Sequence, residues 1–445
     1  MTSFSRWLLT FAALNLLLGN LLPVVWLGTP PEETTLHHTR GFLHREAWVD
    51  SWQPMIAASE YLERGARAPV YSTLFFERKI EFQYPLSALL PLSAVELAVP
   101  KDVPGVPTPR DQRRPARLAR ALNSLSWGFA LVALVASVAI FNLSLARSAR
   151  KPRSWPDRIL ANAAVITLAL SFYPLLKSYT LGQIQTWMTG LFALAFLCWL
   201  EKRKLAAGAL LGVCALLKPP YALFLVWGCL RREWRFAAGF GAVAALGLLA
   251  TTAAFGISHQ LDYLRVLGFL GRHGDAYFPN QSVNGLLNRL LFNGGNLVGQ
   301  GHLNQPFHPW VYAGTLLSSA ALILLGLLWR GMRAGRASAV DFSIMALCLT
   351  MASPIAWEHH YGILLPIFAF LAPTLLEGRV LGALTIPVLC TSYLLSSSYF
   401  HVAKRLAATP LNVLQSYLFF GALLLLVYLY AMTRLAPPAD EAPSS

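Results

Sequence analysis

The sequence predicts an all-α, polytopic membrane protein, and its composition and its apolar runs are the observations behind that prediction. Of the 445 residues, 56% are hydrophobic and 13% are charged, whereas a soluble domain is charged at about 25% of its positions. Apolar runs recur along nearly the whole chain. Because hydrocarbon offers no partner for a free backbone N–H or C=O, each run that crosses it does so as a helix.

The first helix is predicted from residues 7–27, an apolar run of about 20 residues that is long enough to cross a bilayer. Arg6 precedes the run, and Pro23-Val24-Val25-Trp26 near its end is a poor context for signal-peptide cleavage. We therefore expect an uncleaved first span whose N-terminus lies in the cytoplasm.

A long polar stretch, residues 28–81, follows the first helix and contains eight acidic and six basic residues. We expect it to form a long first extracytoplasmic loop. Within it, residues 54–64 place apolar or aromatic side chains at the spacing of one helix face. This pattern predicts a short helix that lies along the membrane surface.

Further apolar segments are predicted to be helical. They are 82–99, 121–145, 159–178, 186–200, 205–217, 221–230, 236–256, 308–329, 340–352, 361–376, 380–397 and 411–430. Segment 82–99 is the least suited to cross the bilayer, because prolines interrupt it. We therefore expect about twelve transmembrane helices (roughly 11 to 13).

The basic residues predict which loops face the cytoplasm, where membrane proteins concentrate Lys and Arg. If segment 82–99 does not cross, the basic clusters at 146–158, 201–204, 231–235 and 330–336 are all cytoplasmic, and loop 101–120 is a basic external loop. Membrane topology thus accounts for the formal net charge of +15, and we expect no nucleic-acid partner.

The helices are expected to form one transmembrane domain over residues 1–430. Residues 431–445 are polar and rich in proline. Such a composition cannot bury enough apolar surface to fold, so we expect a short, disordered cytoplasmic tail.

In this topology several polar motifs share the extracytoplasmic face, and Trp48-Val49-Asp50-Ser51-Trp52 lies in the first loop. A lone aspartate in a loop is most often solvated or part of a turn. The flanking tryptophans favour the membrane interface, and a carboxylate held there could deprotonate an acceptor hydroxyl as a general base. Asp50 is therefore the first catalytic candidate.

Segment 353–360 joins two apolar runs and contains Trp357, Glu358, His359 and His360. Ionisable residues so close to hydrocarbon usually serve function. A metal site would need a third ligand, and adjacent histidines point in different directions on a helix, so we do not expect a metal ion. A histidine that shuttles a proton or contacts a phosphate is favoured over a purely structural role.

Other motifs offer cations or amides to a phosphate or a sugar. Lys218 precedes two prolines in an apolar hairpin and could either bind phosphate or extend to the head groups. Asn280, Gln281 and Arg289 could recognise a sugar phosphate or could serve as helix-capping residues.

Two further candidates for substrate binding stand beside a turn residue. Gln183 follows Gly182 between two apolar segments and offers a side-chain amide. Tyr84 precedes Pro85, and its alternative role is a place in the aromatic belt of the membrane interface. We count Trp357 and Glu358 with them as substrate-binding candidates.

The order of these motifs resembles the bacterial polyprenol-phosphate-mannose-dependent mannosyltransferases of glycosyltransferase family 87, which have the GT-C fold. The resemblance spans about residues 7–430, and segment 353–360 is its most specific part. By position it implies that Asp50 is the catalytic base and that His359 or His360 lies near the reacting centre.

Two motifs depart from the usual pattern of that family. Its Tyr-Pro-Pro is Tyr84-Pro85-Leu86 here, and its Gly-Gln-x-Asn is Gly182-Gln183-Ile184-Gln185. Members of the family also vary in donor and acceptor, so the resemblance does not fix the sugar.

The resemblance implies an enzyme of the bacterial inner membrane with its active site on the extracytoplasmic face. It would move a hexose, with mannose the leading candidate, from a polyprenyl phosphate to a hydroxyl of a lipid or glycan acceptor, with inversion. The donor, the acceptor and membrane lipids are the expected partners, and no cofactor is expected. Lys218, Arg289 and one of the two histidines are the candidates to stabilise the leaving phosphate.

Two alternatives from other classes are a transporter or flippase of lipid-linked sugars and a non-catalytic protein of envelope assembly. Transporters place polar residues near the bilayer midplane, often within inverted repeats. Here no repeat is evident, and the polar motifs collect at helix ends. The combination of an acid with histidines favours catalysis over an assembly role.

Overall fold

The computed structural model describes residues 3–65, 68–98, 110–148, 154–299, 304–329, 339–376 and 381–435. Within those ranges the regular structure is helical, apart from one isolated bridge between Asn280 and Trp357. The predicted all-α class is therefore confirmed. The basic cluster 330–336, residues 101–109 of the predicted loop 101–120, part of 146–158 and most of the tail 431–445 lie outside the described residues.

The α-helices are numbered in chain order over the described residues. They are α1 (Ser3–Leu16), α2 (Leu22–Leu27), α3 (Thr35–His44), α4 (Trp52–Glu63), α5 (Leu89–Ala98), α6 (Arg110–Ser148), α7 (Trp155–Leu170), α8 (Tyr173–Thr180), α9 (Gln185–Leu200), α10 (Lys204–Leu217), α11 (Leu223–Leu230), α12 (Trp234–Phe255), α13 (Ile257–His273), α14 (Val283–Leu290), α15 (Pro309–Leu328), α16 (Ala339–Met351), α17 (Leu364–Leu371), α18 (Thr385–Ser397) and α19 (Tyr417–Leu435).

Long apolar helices give the chain its membrane character. In the described residues, the segments long and apolar enough to cross a bilayer are Phe4–Leu27, Pro115–Ser148, Trp234–Phe255, Pro309–Leu328 and Pro410–Thr433. Helices α7 and α8 together would add another span, although they bend by 49°. These segments support a polytopic membrane protein, while the count of about twelve spans stays a prediction.

The first loop contains helices α3 and α4. The sequence predicts a short helix over residues 54–64, and α4 occupies that stretch. Its buried residues Trp52, Met55 and Ile56 pack into the protein core. The first loop is therefore a folded part of the molecule, and its contact with the membrane surface stays a prediction.

Helices α9 and α16 run from the aromatic contact between Trp199 and Phe342 toward the candidate site residues. Trp199, near the end of α9, and Phe342, near the start of α16, pack with their ring centroids 5.1 Å apart. The start of α9 and the end of α16 both lead to candidate site residues, Gln183 on one side and segment 353–360 on the other. At 1.5 Å per residue, α16 separates its two ends by about 20 Å.

Candidate active site

A cavity of about 860 Å³ lies where several separated parts of the chain meet. Of the site residues predicted from the sequence, those that line it are Asp50, Tyr84, Gln183, Trp357, Glu358 and His359. The others, Lys218, Asn280, Gln281, Arg289 and His360, are not part of its wall. The cavity therefore contains the aspartate and one of the two histidines.

The loop between α3 and α4 holds Asp50 against the turn that precedes α9. The backbone N–H groups of Trp48, Asp50 and Ser51 donate to carbonyl oxygens of residues 180–182, at 2.8, 3.0 and 3.2 Å. Asp50 therefore has a fixed backbone position although it belongs to a loop.

Gly182 makes this approach possible. Its φ of +70° lies in the left-handed region, and a Cβ there would be 2.0 Å from the carbonyl oxygen of Trp48. Any side chain would push the loop away and would also strain the turn. The glycine of the Gly-Gln motif is thus required by the packing of the Asp50 loop.

The Asp50 carboxylate has one oxygen bound and one open. Gln183 Nε2 donates to Asp50 Oδ2, whereas Asp50 Oδ1 accepts no hydrogen bond from any described residue. The side chain is accessible from the cavity. The surrounding protein nonetheless raises the pKa of Asp50 by desolvation, against smaller lowering effects of Gln183 and Lys177. A carboxylate with one free oxygen and a raised pKa has the properties of a general base.

The loop 275–282 and segment 353–358 pair to form another wall. Gln281 N donates to Ala356 O at 2.8 Å, and Glu358 N donates to Pro279 O at 2.9 Å. The pairing fixes Trp357, Glu358 and His359 at the cavity.

Asn280 and Gln281 bind backbone rather than face the cavity. Asn280 Nδ2 donates to Asp275 O at 2.8 Å, and its Oδ1 accepts from Ala356 N at 3.0 Å. Gln281 Nε2 donates to Phe278 O and to Gln415 O, at 2.7 and 2.8 Å. Both side chains are fully buried, so the structure places them in support of the wall.

Arg289 is buried in the same support. Its guanidinium donates to Asn280 O at 3.1 Å and to Ser416 Oγ at 2.6 Å, and it is 1% exposed. Ser282 caps α14 by accepting from Gly285 N at 3.1 Å. In the structure Arg289 and Ser282 thus hydrogen-bond to protein atoms, and neither residue lines the cavity.

Glu358 is a buried carboxyl group in the cavity wall. It accepts hydrogen bonds from the Tyr173 and Tyr417 hydroxyls at 2.9 and 3.4 Å. Burial raises its pKa, and the charge of Lys177 opposes that effect. Glu358 therefore presents to the cavity a carboxyl group whose two oxygens each accept a hydrogen bond from a tyrosine hydroxyl.

The two histidines have different environments. His359 lines the cavity, and burial, with the charges of Lys218 and Lys177, lowers its pKa to about 3. His360 Nδ1 accepts from Trp357 N at 3.2 Å and lies 3.0 Å from Lys218 Nζ. Because Nδ1 accepts a backbone N–H, it carries no proton, and the Lys218 ammonium shares the single lone pair of that nitrogen with Trp357 N–H. Lys218 thus holds His360, and His359 is the histidine that reaches the cavity.

Three lysines that line the cavity, Lys79, Lys177 and Lys404, are absent from the sequence-based candidates. Lys177, in α8, lines the cavity and makes no ion pair or hydrogen bond with any described residue. Lys404 also lines it, but its Nζ donates to both carboxylate oxygens of Glu33 at 2.9 Å. Lys177 therefore brings to the cavity a positive charge with no direct hydrogen bond or ion pair from a described residue, while the charges of Glu358, Glu33 and Asp50 act on it beyond direct contact. An ionisable residue inside the predicted apolar segment 159–178 is the signal that could have identified it.

The described residues contain no group of three or more His, Cys, Asp or Glu side chains that could hold a metal ion.

Comparison with known proteins adds independent observations. The profile of glycosyltransferase family 87 matches residues 115–354, which is more than half of the chain. A polyprenol-phosphate-mannose-dependent alpha-(1-2)-phosphatidylinositol mannoside mannosyltransferase of Mycobacterium tuberculosis is 28% identical over 253 residues, which are 53% of this chain and 53% of that protein. The chain thus spans about half the length of this curated relative. No solved structure matches.

The matched family range includes some of the candidate site and excludes the rest. Lys177 and Gln183 lie within residues 115–354, whereas Asp50 precedes that range and His359 follows it. The cavity brings the two excluded residues to the same site as the two included ones.

Proposed function

Because the chain belongs to glycosyltransferase family 87, we propose that it transfers one hexose, with mannose the leading candidate, from a polyprenyl phosphate to a hydroxyl of a lipid or glycan acceptor. The reaction takes place on the extracytoplasmic face of the bacterial inner membrane and inverts the anomeric carbon. The relative's printed name supports the class of donor, since that protein depends on polyprenol-phosphate-mannose.

One observation carries this proposal. Asp50, His359 and the unpaired cation Lys177 line a single cavity although they come from distant parts of the chain. Glycosyl transfer from a lipid phosphate requires a base for the acceptor, a contact for the phosphate and room for a sugar between them. The position of Asp50 and Lys177 on one cavity of about 860 Å³ supports these roles.

The reaction is a displacement at C1 of the hexose. The acceptor oxygen forms the new bond to C1 while the bond from C1 to the phosphate oxygen breaks, and the electron pair of that bond leaves with the phosphate. Asp50 Oδ1 takes the acceptor proton as C1 develops oxocarbenium character. Polyprenyl phosphate and the glycosylated acceptor are the products. In the inverting geometry, Asp50 and the phosphate lie on opposite sides of the sugar ring.

The leaving phosphate needs a positive charge rather than a strong acid, because its oxygens already accept charge readily. Lys177 takes this role in place of Lys218 and Arg289, which do not line the cavity and whose side chains contact His360 and protein oxygens, respectively. His359 has a pKa lowered to about 3, so it enters the site as a neutral imidazole that can donate or accept one hydrogen bond. Tyr84, Gln183, Trp357 and Glu358 complete the wall around the substrates.

The experiment is a transfer assay with purified protein in lipid nanodiscs or in vesicles. Radiolabelled polyprenyl-phosphate mannose and a lipid extract supply donor and acceptor, and Asp50→Asn serves as the inactive comparison. We expect label in a new glycolipid with the wild-type protein and none with Asp50→Asn. Movement of the donor across the vesicle membrane without transfer would identify a flippase, and neither activity with any polyprenyl-phosphate hexose would reject the proposal.

A further inference from the structure

A chain of hydrogen bonds lies behind the Asp50 carboxylate. Gln183 Nε2 donates to Asp50 Oδ2, and Gln183 Oε1 accepts from Ser51 Oγ at 2.7 Å. Ser51 Oγ in turn lies 2.7 Å from Tyr84 OH and accepts from Ile184 N at 3.0 Å. Three separated parts of the chain thus contribute to one network.

Counting the available N–H and O–H protons shows which atoms donate and which accept in this network. Ile184 N–H can only donate, so Ser51 Oγ accepts from it, and the single hydroxyl proton of Ser51 is directed to Gln183 Oε1. Tyr84 OH, which lies 2.7 Å from Ser51 Oγ and 3.4 Å from Gln183 Oε1, donates its own proton to one of these two oxygens. Because Gln183 Oε1 is occupied by a hydroxyl donor, its NH₂ group must face Asp50. The reverse orientation would set a carbonyl oxygen against a carboxylate.

The hydrogen-bonding atoms of this network point away from the space that a substrate would occupy. Ser51 is 0% exposed and Gln183 is 9% exposed. Gln183 and Tyr84 line the cavity, but their polar ends are engaged with Ser51 and Asp50. Their hydrogen-bonding groups are therefore directed into the protein, toward the base.

We propose that Tyr84, Ser51 and Gln183 form a positioning chain that fixes the Asp50 carboxylate with Oδ1 toward the acceptor. This inference rests on the proposed function, in which Asp50 is the base. It assigns Gln183 and Tyr84, which the sequence indicates as substrate contacts, to the support of the base, and it adds Ser51, which is not among the sequence-based candidates. Ser51, Gln183 and Tyr84 are positioning residues because they act through Asp50.

The arrangement has a consequence for the charge of Asp50. The amide donates to the ionised carboxylate, and a hydrogen bond to the charged form favours it. The other groups that act on Asp50 are Lys177 of α8, which also favours the charged form, and the neutral Tyr84 hydroxyl. Loss of the amide donor therefore makes Asp50 harder to ionise, and the low-pH limb of activity moves to higher pH.

Gln183→Glu is the sharpest test because it keeps the shape of the side chain and replaces the donor with a carboxyl group. Two adjoining carboxyl groups cannot both ionise easily. We expect the low-pH limb of kcat/KM to move up by about one pH unit or more, which is about a tenfold loss on that limb, with recovery at high pH. The KM for the donor should stay within about twofold, since no substrate contact is lost.

Ser51→Ala and Tyr84→Phe test the outer members of the chain. Each removes a hydroxyl and leaves Gln183 in place but less fixed. We expect kcat to fall by about tenfold for Ser51→Ala and by a few-fold for Tyr84→Phe, with the KM for the donor unchanged. Gln260→Glu, Ser318→Ala and Tyr61→Phe, all outside the cavity wall, are matched controls and should behave like the wild-type protein.

The possible results separate the two proposals. If Asp50→Asn retains turnover, or the wild-type protein transfers no hexose, the proposed function fails. If Asp50→Asn is inactive while Gln183→Glu raises the KM for the donor and leaves the pH profile unmoved, Gln183 is a substrate contact and only the positioning chain is rejected. If Gln183→Glu does not fold, unchanged kcat values for Ser51→Ala and Tyr84→Phe would reject the positioning chain.

Discussion

The two ends of α16 hold polar groups of opposite character. At its start, Arg231 donates to both carboxylate oxygens of Asp341 at 2.8 and 2.9 Å and to the carbonyl oxygens of Gly326 and Trp329 at 3.4 and 2.9 Å. At its other end lies the cavity, where Lys177 has no partner among the described residues and Asp50 Oδ1 is open.

The difference shows which polar groups hold the fold and which await a ligand. A buried charge costs free energy unless it is paired and hydrogen-bonded, and Arg231 is satisfied by the Asp341 carboxylate and by the carbonyl oxygens of Gly326, Leu327 and Trp329. An unpaired cation in a cavity is retained where a substrate can pair with it. The distinction rests on satisfaction rather than on residue type, since Arg289 beside the cavity is also engaged with protein oxygens.

The largest expected change in activity and in stability comes from two substitutions, one near each end of α16. Asp50→Asn should reduce transfer by about 10³-fold, because a general base contributes roughly that much, while thermal unfolding stays unchanged. Asp341→Asn leaves Arg231 poorly paired and should lower stability by on the order of 3 kcal/mol, with normal turnover per folded molecule. Transfer assays and unfolding curves on both variants measure this. Loss of turnover at full stability in Asp341→Asn, or unfolding of Asp50→Asn, would contradict the assignment of Asp341 to stability and of Asp50 to catalysis.

A second pair of variants concerns the glycine beneath Asp50. Gly182→Ala should lower kcat by about 10²-fold, because displacement of a catalytic group by about 1 Å has that effect. Gly65→Ala is the matched control: its φ is +66°, similar to the +70° of Gly182, but a Cβ there would meet no atom within 4 Å. Both variants carry the backbone strain, so equal kcat values for the two would show that the contact with Trp48 has no catalytic importance.

Lys177→Met tests the unpaired cation. We expect the KM for the donor to rise about tenfold, since a hydrogen bond to a charged group is worth roughly 1.5 kcal/mol or more. Inhibition by the product polyprenyl phosphate should weaken in parallel, and Lys177→Arg should restore much of it. Lys204→Met, which removes a lysine already paired with Glu233 at 3.6 Å, is the control. Unchanged product inhibition in Lys177→Met would remove Lys177 from the phosphate site.

The smallest effect is a shift in pH dependence. Asp50 must be ionised to act as a base, so kcat/KM should fall as the pH drops through its pKa. Desolvation raises that pKa, so the midpoint should lie above the ordinary aspartate value of about 3.9. Glu358 also has a raised pKa. The variant Glu358→Gln therefore tests which carboxyl group causes the fall in kcat/KM at low pH, and we expect that fall to persist in the variant. Its disappearance would assign the limb to Glu358 instead.

The sequence predicts the membrane class and the position of the base because both are local properties. Composition and apolar runs indicate helices wherever they occur, and Asp50 stands in a polar loop between tryptophans. Asp50 and His359 could be assigned to one site only through the predicted topology and the family resemblance. The structure places them at one cavity.

Other features depend on long-range contacts that no local pattern records. Lys404 pairs with Glu33 across 371 positions of the chain, and the sequence offers no signal for that partnership. Lys218 and Arg289 carry the right charge for a phosphate, but only the fold shows that they lie outside the cavity wall, in contact with a histidine and with protein oxygens. The inward direction of Gln183 likewise depends on Ser51 and Tyr84 meeting behind it.

In the proposed complex one hexose lies between Asp50 and a phosphate bound at Lys177. The most direct measurement is an electron cryo-microscopy structure of the protein with a non-transferable polyprenyl-phosphonate analogue of the donor. We predict the phosphonate within hydrogen-bonding distance of Lys177 Nζ and the Asp50 carboxylate on the opposite side of the sugar ring. A phosphonate bound outside the cavity, or one on the same side of the ring as Asp50, would contradict the account.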